Sequence, residues 1–400
     1  MDVVLLELLS ALLRWLHVIA GMAWIGSSFY FIHLDLSLKP SPALGRGVKG
    51  EAWQVHGGGF YHMVKFLVAP SKLPDELTWF KWEAYTTWLS GFALLVVVYY
   101  LSAELYLIDK NVLEMSAPMA ALIAFLSLAA AWGLYELACR SPLAKHELLL
   151  SLLGFVFLVG LTYAFTHVFS GRGAFTQIGA IIGTIMVANV FVVIIPNQKK
   201  IVEALLAGRE PAARLGDEGK TRSVHNNYLT LPVIFLMISN HYPLFFATKY
   251  NWIMVAIVLL MGPLIRHFFN ERHQGKESPW WTWALVAIGV IIIAWLMSLG
   301  PRFSGTSSAL PPTEVAAAQA IEIVTNRCSM CHAADPVWTG IVEAPKGVRL
   351  DGAEIIARHA PLISLQAVRS AAMPPGNVTD MTAAERQVLA AWIAAGAPAK

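Results

Sequence analysis

Eight stretches of roughly twenty predominantly apolar residues constrain this chain more than any other feature, because runs of that length match the hydrocarbon thickness of a bilayer. They extend from Leu8 to Leu34, Thr87 to Ile108, Ala117 to Leu137, Leu148 to His167, Gln177 to Ile195, Leu229 to Thr248, Trp252 to Phe269 and Trp281 to Leu299. Apolar side chains make up 56% of the 400 residues and charged ones only 14%, with 14 tryptophans, a balance that argues against a soluble globular protein. The expectation is all-α: a polytopic membrane helix bundle of about eight spans, lipid being its main surroundings. None of the gaps between the runs reads as a sheet.

Orientation follows from the basic residues in the connections. The odd-numbered ones, counting Arg266 at a helix end, hold 17 Lys and Arg, against Lys110, Arg172 and Lys249 in the even ones. The positive-inside rule then puts the odd loops in the cytoplasm and both termini outside. Asp2 and Glu7 precede the first basic residue, Arg14, so the opening run is expected to remain as a span and not to be cleaved as a signal. The net charge of +3 reflects this topology, and with no nucleic-acid motif present a nucleic-acid partner is not expected.

The segment Arg327 to His332, RCSMCH, has the spacing of a c-type haem attachment site: two cysteines for the covalent thioether links and an adjoining histidine beneath the iron. A thioredoxin-like pair would need a βαβ context, and a zinc site a second ligand pair, neither of which is legible. Cys328 and Cys331 are thus expected to carry one haem c, with His332 as an iron ligand. Met373, in AAMPPG, is the preferred second ligand, and Met381 is its rival. A lone Cys139 then leaves no disulfide framework. Residues 301–312 read as a flexible Gly/Ser/Pro-rich linker between a transmembrane domain, 1–300, and a small domain, 313–400, of class I cytochrome c type. In that domain Thr382 should cap a terminal helix, with Glu385 completing the cap and Gly396 ending it. Covalent haem attachment belongs to the outer side of bacterial membranes, in agreement with the charge count.

Ionisable residues within spans are costly and are therefore candidates for function. His17, His167 and His241 fall at one outer depth, where imidazoles from several helices hold a b-type haem in other bundles, though each also fits an interhelical hydrogen-bonding role. His17 is favoured because Gly21 and Gly26 permit close helix approach, and Arg14, one turn away, is placed to pair with a haem propionate. His33 lies sixteen residues from His17, about 24 Å deeper, too far to share one cofactor. Two inner stretches stand out. VHGGGFYHMVKF brings aromatic and cationic groups, Tyr61 and Lys65, beside three glycines, and reads otherwise as a re-entrant loop; SVHNNYLTLP holds Asn226 and Asn227, and reads otherwise as a helix cap.

Eight spans followed by CxxCH, with LRWLHVIAGMAWIGSSFYFIHLD, QVHGGGFYHM and AMPPG…MTAAERQVLAAWIAAG, resemble the bacterial membrane-bound urate oxidase (urate hydroxylase) family with a fused C-terminal cytochrome c domain. The first span also resembles that of protoporphyrinogen oxidase-type membrane haem proteins. The resemblance implies an inner-membrane oxidoreductase of purine catabolism that converts urate to 5-hydroxyisourate and passes electrons through haem to a respiratory acceptor such as a terminal cytochrome oxidase. A site for this small planar anion would use a cation, amides and an aromatic face, for which Tyr61, Lys65, Asn226 and Asn227 are candidates. Two alternatives stay open: a membrane oxidase of a quinol or porphyrinogen, and a non-catalytic b/c-haem electron-transfer subunit.

Overall fold

With no proline in the stretch to stop it, the first helix, α1 (Val3–Ser37), continues for 35 residues. At 1.5 Å per residue that is about 52 Å, well beyond a hydrocarbon layer of about 30 Å. The computed structural model describes residues 3–45, 47–67, 73–300 and 313–399. The expected linker, 301–312, lies outside the described residues.

After α1 comes an antiparallel hairpin, β1 (Val48–His56) with β2 (Gly59–Phe66), which corrects the expectation of a sheet-free, all-α chain. Gly57 and Gly58 have φ of +58° and +80°, the left-handed pair that a two-residue hairpin turn of type I′ demands. Trp53 stacks on His62 across the strands at 4.1 Å between ring centroids. Lys65 pairs with Asp35 near the end of α1, and backbone hydrogen bonds link Lys39 to Glu51, so the hairpin is anchored to the helix it follows.

The bundle continues with α2 (Trp82–Leu94), a π-helical turn over Leu95–Tyr100, α3 (Ala103–Tyr106), α4 (Ala117–Arg140), α5 (Glu147–Phe165) and α6 (Gly171–Ala188). A second π-helical turn, Asn189–Ile194, leads into α7 (Ile195–Leu206), α8 (Ala213–Ser239), α9 (Pro243–Ala247), α10 (Asn251–His273) and α11 (Trp281–Ser298). Among the described residues six helical stretches are long and apolar enough to cross a membrane, fewer than the eight expected. The expected second span is broken up, with α2 only 13 residues long before the π-helical turn. The sixth is the apolar end of α8, whose first half, ARLGDEGKTR, is charged. Leu95, Leu128, Phe169, Phe175, Ile178, Ile182 and Leu236 lie in the buried core where α4, α6 and α8 meet. Elsewhere large apolar side chains such as Leu148, Val156, Trp280 and Ile291 face outward, as lipid contact requires.

The C-terminal unit is α12 (Thr313–His332), α13 (Ala353–Arg358), α14 (Ala360–Ile363) and α15 (Ala383–Ala394). Its first and last helices pack across one another over a core that includes Val324, Ile356, Leu389 and Trp392. The expected cap of α15 is present in full: Thr382 Oγ1 accepts from Glu385 N, and the Glu385 carboxylate accepts from Thr382 N. Arg327 pairs with Glu385 at 2.9 Å, fastening α12 to α15.

Candidate functional site

Because α12 runs through RCSMCH, Cys328 and Cys331 stand three residues apart on one helix face, with His332 four residues from Cys328. His332 Nδ1 lies 2.8 Å from the Val348 carbonyl. Donation to that carbonyl fixes the ring and leaves Nε2 as a ligand atom, the arrangement by which second-shell carbonyls orient metal-binding imidazoles. Both thiols are free. Burial pushes the Cys328 thiol up to about 12, countered in part by Arg386. Met381 is 2% exposed inside the C-terminal core, whereas Met373 sits half-buried on the loop before α15. That loop is held by the buried Arg386, which donates to the Met373 carbonyl at 2.8 Å, to the Ala367 carbonyl, and to Asn377 Oδ1 at 3.3 Å. These donors suit a c-type haem: two thiols on one face, an oriented imidazole, and a thioether on a braced loop. No group of three or more His, Cys, Asp or Glu gathers as a metal site among the described residues. A haem iron asks for only two protein ligands, so its site need not take that form.

The same loop meets the bundle. Gly376 nests so closely against α3 that an added Cβ would lie 2.4 Å from the Glu104 carbonyl oxygen and 2.7 Å from that of Ile108. Lys110 Nζ reaches Asp380 at 3.1 Å. A cleft at this junction is lined by Tyr106, Arg172, Phe246, Asn251, Ala372 and Gly376, with the Arg172 guanidinium 5.6 Å from the Tyr106 ring centroid. Lys110, Arg172 and Lys249 all belong to this end of the bundle, the end with few basic residues.

Of the expected membrane histidines, His17 is the most enclosed. Its Nδ1 is 2.9 Å from the Thr87 carbonyl, and its ring presses on Gly91, where a Cβ would come within 2.7 Å of Cε1. Arg14 is exposed on α1 one turn earlier. His167 is exposed and bonds back to the Tyr163 carbonyl at 2.7 Å, while His241 is exposed after the end of α8. Tyr61 and Lys65 are exposed on β2, apart from Asn226 and Asn227, which are buried in the bundle.

Around those asparagines lies a polar core that the sequence analysis does not anticipate, built on Arg222, Asn189 and Arg266. The buried Arg222 donates to Glu136 at 2.7 Å and to Asn189 Oδ1 at 3.1 Å. Asn189 Nδ2 in turn donates to Asn226 Oδ1 and to the Tyr135 hydroxyl, which is 2.8 Å from His225 Nδ1. Asn189 begins the second π-helical turn, a distortion that often marks function. On the neighbouring face Arg266, 5% exposed, donates to Asn227 Oδ1 and Asn270 Oδ1, both at 3.3 Å, and its guanidinium carbon stands 3.9 Å from the Phe29 ring centroid. The available signal was polarity inside apolar runs: Asn189 within GTIMVANVFVV and Arg266 within MGPLIRHFF.

No curated protein and no solved structure matches the chain. The model of the urate oxidase N-terminal family matches residues 3–297, taking in the hairpin, the buried polar core and every helix up to α11. Matched over well more than half its length, and with a urate-related function implied, the chain belongs to the urate oxidase N-terminal family.

Proposed function

We propose that the chain is a bacterial inner-membrane enzyme that oxidises urate to 5-hydroxyisourate and passes the electrons outward through its C-terminal unit, a c-type cytochrome. Urate and water give 5-hydroxyisourate, two protons and two electrons; the new oxygen comes from water, so molecular oxygen need not enter the site. The observation that carries this reading is the oriented His332 behind two free cysteines, on a unit seated against a urate oxidase-family bundle.

In this reading Cys328 and Cys331 hold the haem covalently, His332 Nε2 and the Met373 thioether ligate its iron, and Arg386 positions Met373. Bound there, the haem supplies a one-electron carrier. The Gly376 and Lys110 contacts keep that edge of the unit against the bundle. His17, its Nδ1 engaged by the Thr87 carbonyl, would be the one best placed to hold a b-type haem through Nε2, Arg14 would be available for the haem's carboxylates, and His167 and His241 would be further candidates. The topology that puts the C-terminal unit outside needs α2 with its π-helical turn, and α8, to cross the bilayer as the remaining two spans. Electrons then leave toward a respiratory acceptor such as a terminal cytochrome oxidase.

Product analysis tests the proposal. Purified full-length protein given urate and an electron acceptor should form 5-hydroxyisourate, and truncation after Gly300 should stop sustained turnover. Conversion of urate by the truncated form at the full-length rate would remove the C-terminal unit from the path.

A further inference from the structure

The bundle buries two arginines near its inner end, and they are treated differently. Arg222 has its counter-ion within the chain, Glu136 at 2.7 Å. Arg266 is as deeply buried, yet no carboxylate stands within ion-pair distance of it among the described residues; its partners are the neutral amides of Asn227 and Asn270 and the face of Phe29. An uncompensated buried charge is strongly unfavourable, and chains usually supply its counter-ion or leave that to a ligand. Three further polar atoms are left over nearby: buried and without a hydrogen-bond partner are Asn227 Nδ2, on a residue 1% exposed, and the Nδ1 atoms of His33 and His273, whose rings meet edge to face at 4.3 Å.

Sequence spacing explains why these groups converge. Arg266, Asn270 and His273 follow one face of α10 at i, i+4 and i+7, and Phe29 and His33 follow one face of α1 at i and i+4. Asn227 comes from α8, which packs on both. The close approach of α8 to α10 depends on Gly262, one turn before Arg266, whose missing Cβ makes room for Pro232. The cluster thus offers a fixed cation, amide groups, imidazole edges and an aromatic ring, with unused hydrogen-bonding capacity. A planar, singly charged purine carrying carbonyl and N–H edges has matching chemistry.

We infer that the Arg266, Asn227 and Asn270 cluster, with Phe29, His33 and His273 beside it, is the binding site for the urate anion, reached from the inner end of the bundle. This rests on the proposed urate oxidation and adds where the substrate sits. It replaces Tyr61 and Lys65, which lie exposed on the hairpin, with three residues that the fold buries, Arg266, Asn227 and Asn270, and three that it half-buries.

Binding of radiolabelled urate to full-length protein kept reduced with dithionite measures the site without turnover. Arg266→Gln should weaken binding about ten- to a hundredfold, the loss expected of a charge-assisted hydrogen bond, and Asn227→Ala should weaken it by less. Because the substitution removes an unpaired buried charge, Arg266→Gln should unfold at no lower temperature than wild type in the absence of urate, and should lose the urate-induced rise in unfolding temperature that wild type shows. A single symmetric peak in size-exclusion chromatography and a cooperative unfolding transition check that the variants fold; should Arg266→Gln fail that check, Arg266→Lys and Asn227→Ala decide by the same binding measurement. Wild-type affinity in the variants, beside urate oxidation by the wild type, would overturn the site and leave the proposed function standing. A wild type that neither binds nor oxidises urate would remove both, and stabilisation by phosphate but not by urate would reassign the cluster to another anion.

Discussion

Replacing Gly262 by alanine tests the packing on which the inner cluster depends. An alanine Cβ there would stand 2.3 Å from Pro232 Cδ, 2.6 Å from its Cγ and 3.0 Å from its nitrogen, whereas ordinary contact begins at 3.4 Å. The proline ring is closed onto the α8 backbone and cannot swing aside, so relief requires α8 and α10 to part by about 1 Å. Overpacking of that kind typically costs about 1–3 kcal/mol. Arg266 lies four residues further along α10, and its 3.3 Å hydrogen bond to Asn227 is already near the limit of such contacts, so the same displacement breaks it. The assay is thermal unfolding of detergent-purified protein followed by tryptophan fluorescence, in parallel with urate binding to the reduced protein. Gly262→Ala should lower the unfolding temperature by several degrees and weaken urate binding together, while Gly262→Ser should do no better. Unchanged stability in Gly262→Ala would refute the packing argument, and lowered stability with intact binding would detach the cluster from urate.

Gly91→Ala drives a methyl group into the His17 ring, so extractable haem should fall while covalent haem stays constant; a pyridine haemochrome spectrum before and after acid–acetone extraction reads both, and unchanged extractable haem would end the assignment of His17. Gly376→Val, at a residue with φ of +57° pressed against two carbonyl oxygens, should unseat the C-terminal unit, so that a zero-length carbodiimide crosslink between Lys110 and Asp380, obtained in wild type, disappears; its persistence would mean the contact is not needed for docking. Burial raises both thiols, that of Cys328 further, to about 12, so thiolate is scarcest at Cys328 near pH 8. Iodoacetamide should therefore label haem-free protein at Cys331 well before Cys328, with Cys328 labelling rising as the pH is raised; equal rates near pH 8 would contradict that burial.

The long helices were legible because an apolar run of about twenty residues leaves the backbone few alternatives in lipid. So was the cap of α15, since Thr382 and Glu385 stand at the spacing that satisfies each other's backbone donors. The hairpin is written in the sequence all the same: VHGGGF holds three adjacent glycines, two of them at the turn, between strands rich in β-branched and aromatic residues, a pattern that also reads as a re-entrant loop. Six long apolar stretches stand against a count of eight because the second run is divided between α2 with its π-helical turn, 82–100, and α3, and because the sixth shares its helix with a charged half, in α8. The inner cluster was illegible for a different reason. In the sequence Arg222 and Arg266 read as charges that orient loops, and only the fold shows them turned inward, one paired with Glu136 on α4 and one set against α8 with no carboxylate beside it among the described residues.

The central claim is that electrons from urate reach the C-terminal unit. Anaerobic mixing of oxidised, purified full-length protein with urate, followed by the visible absorbance of covalent haem c, measures this directly. The expected result is haem c reduction within the turnover time, dependent on urate concentration, weakened in Arg266→Gln at low urate, and absent with xanthine. Haem c that stays oxidised under urate, while aerobic protein consumes urate and releases hydrogen peroxide, would contradict the account.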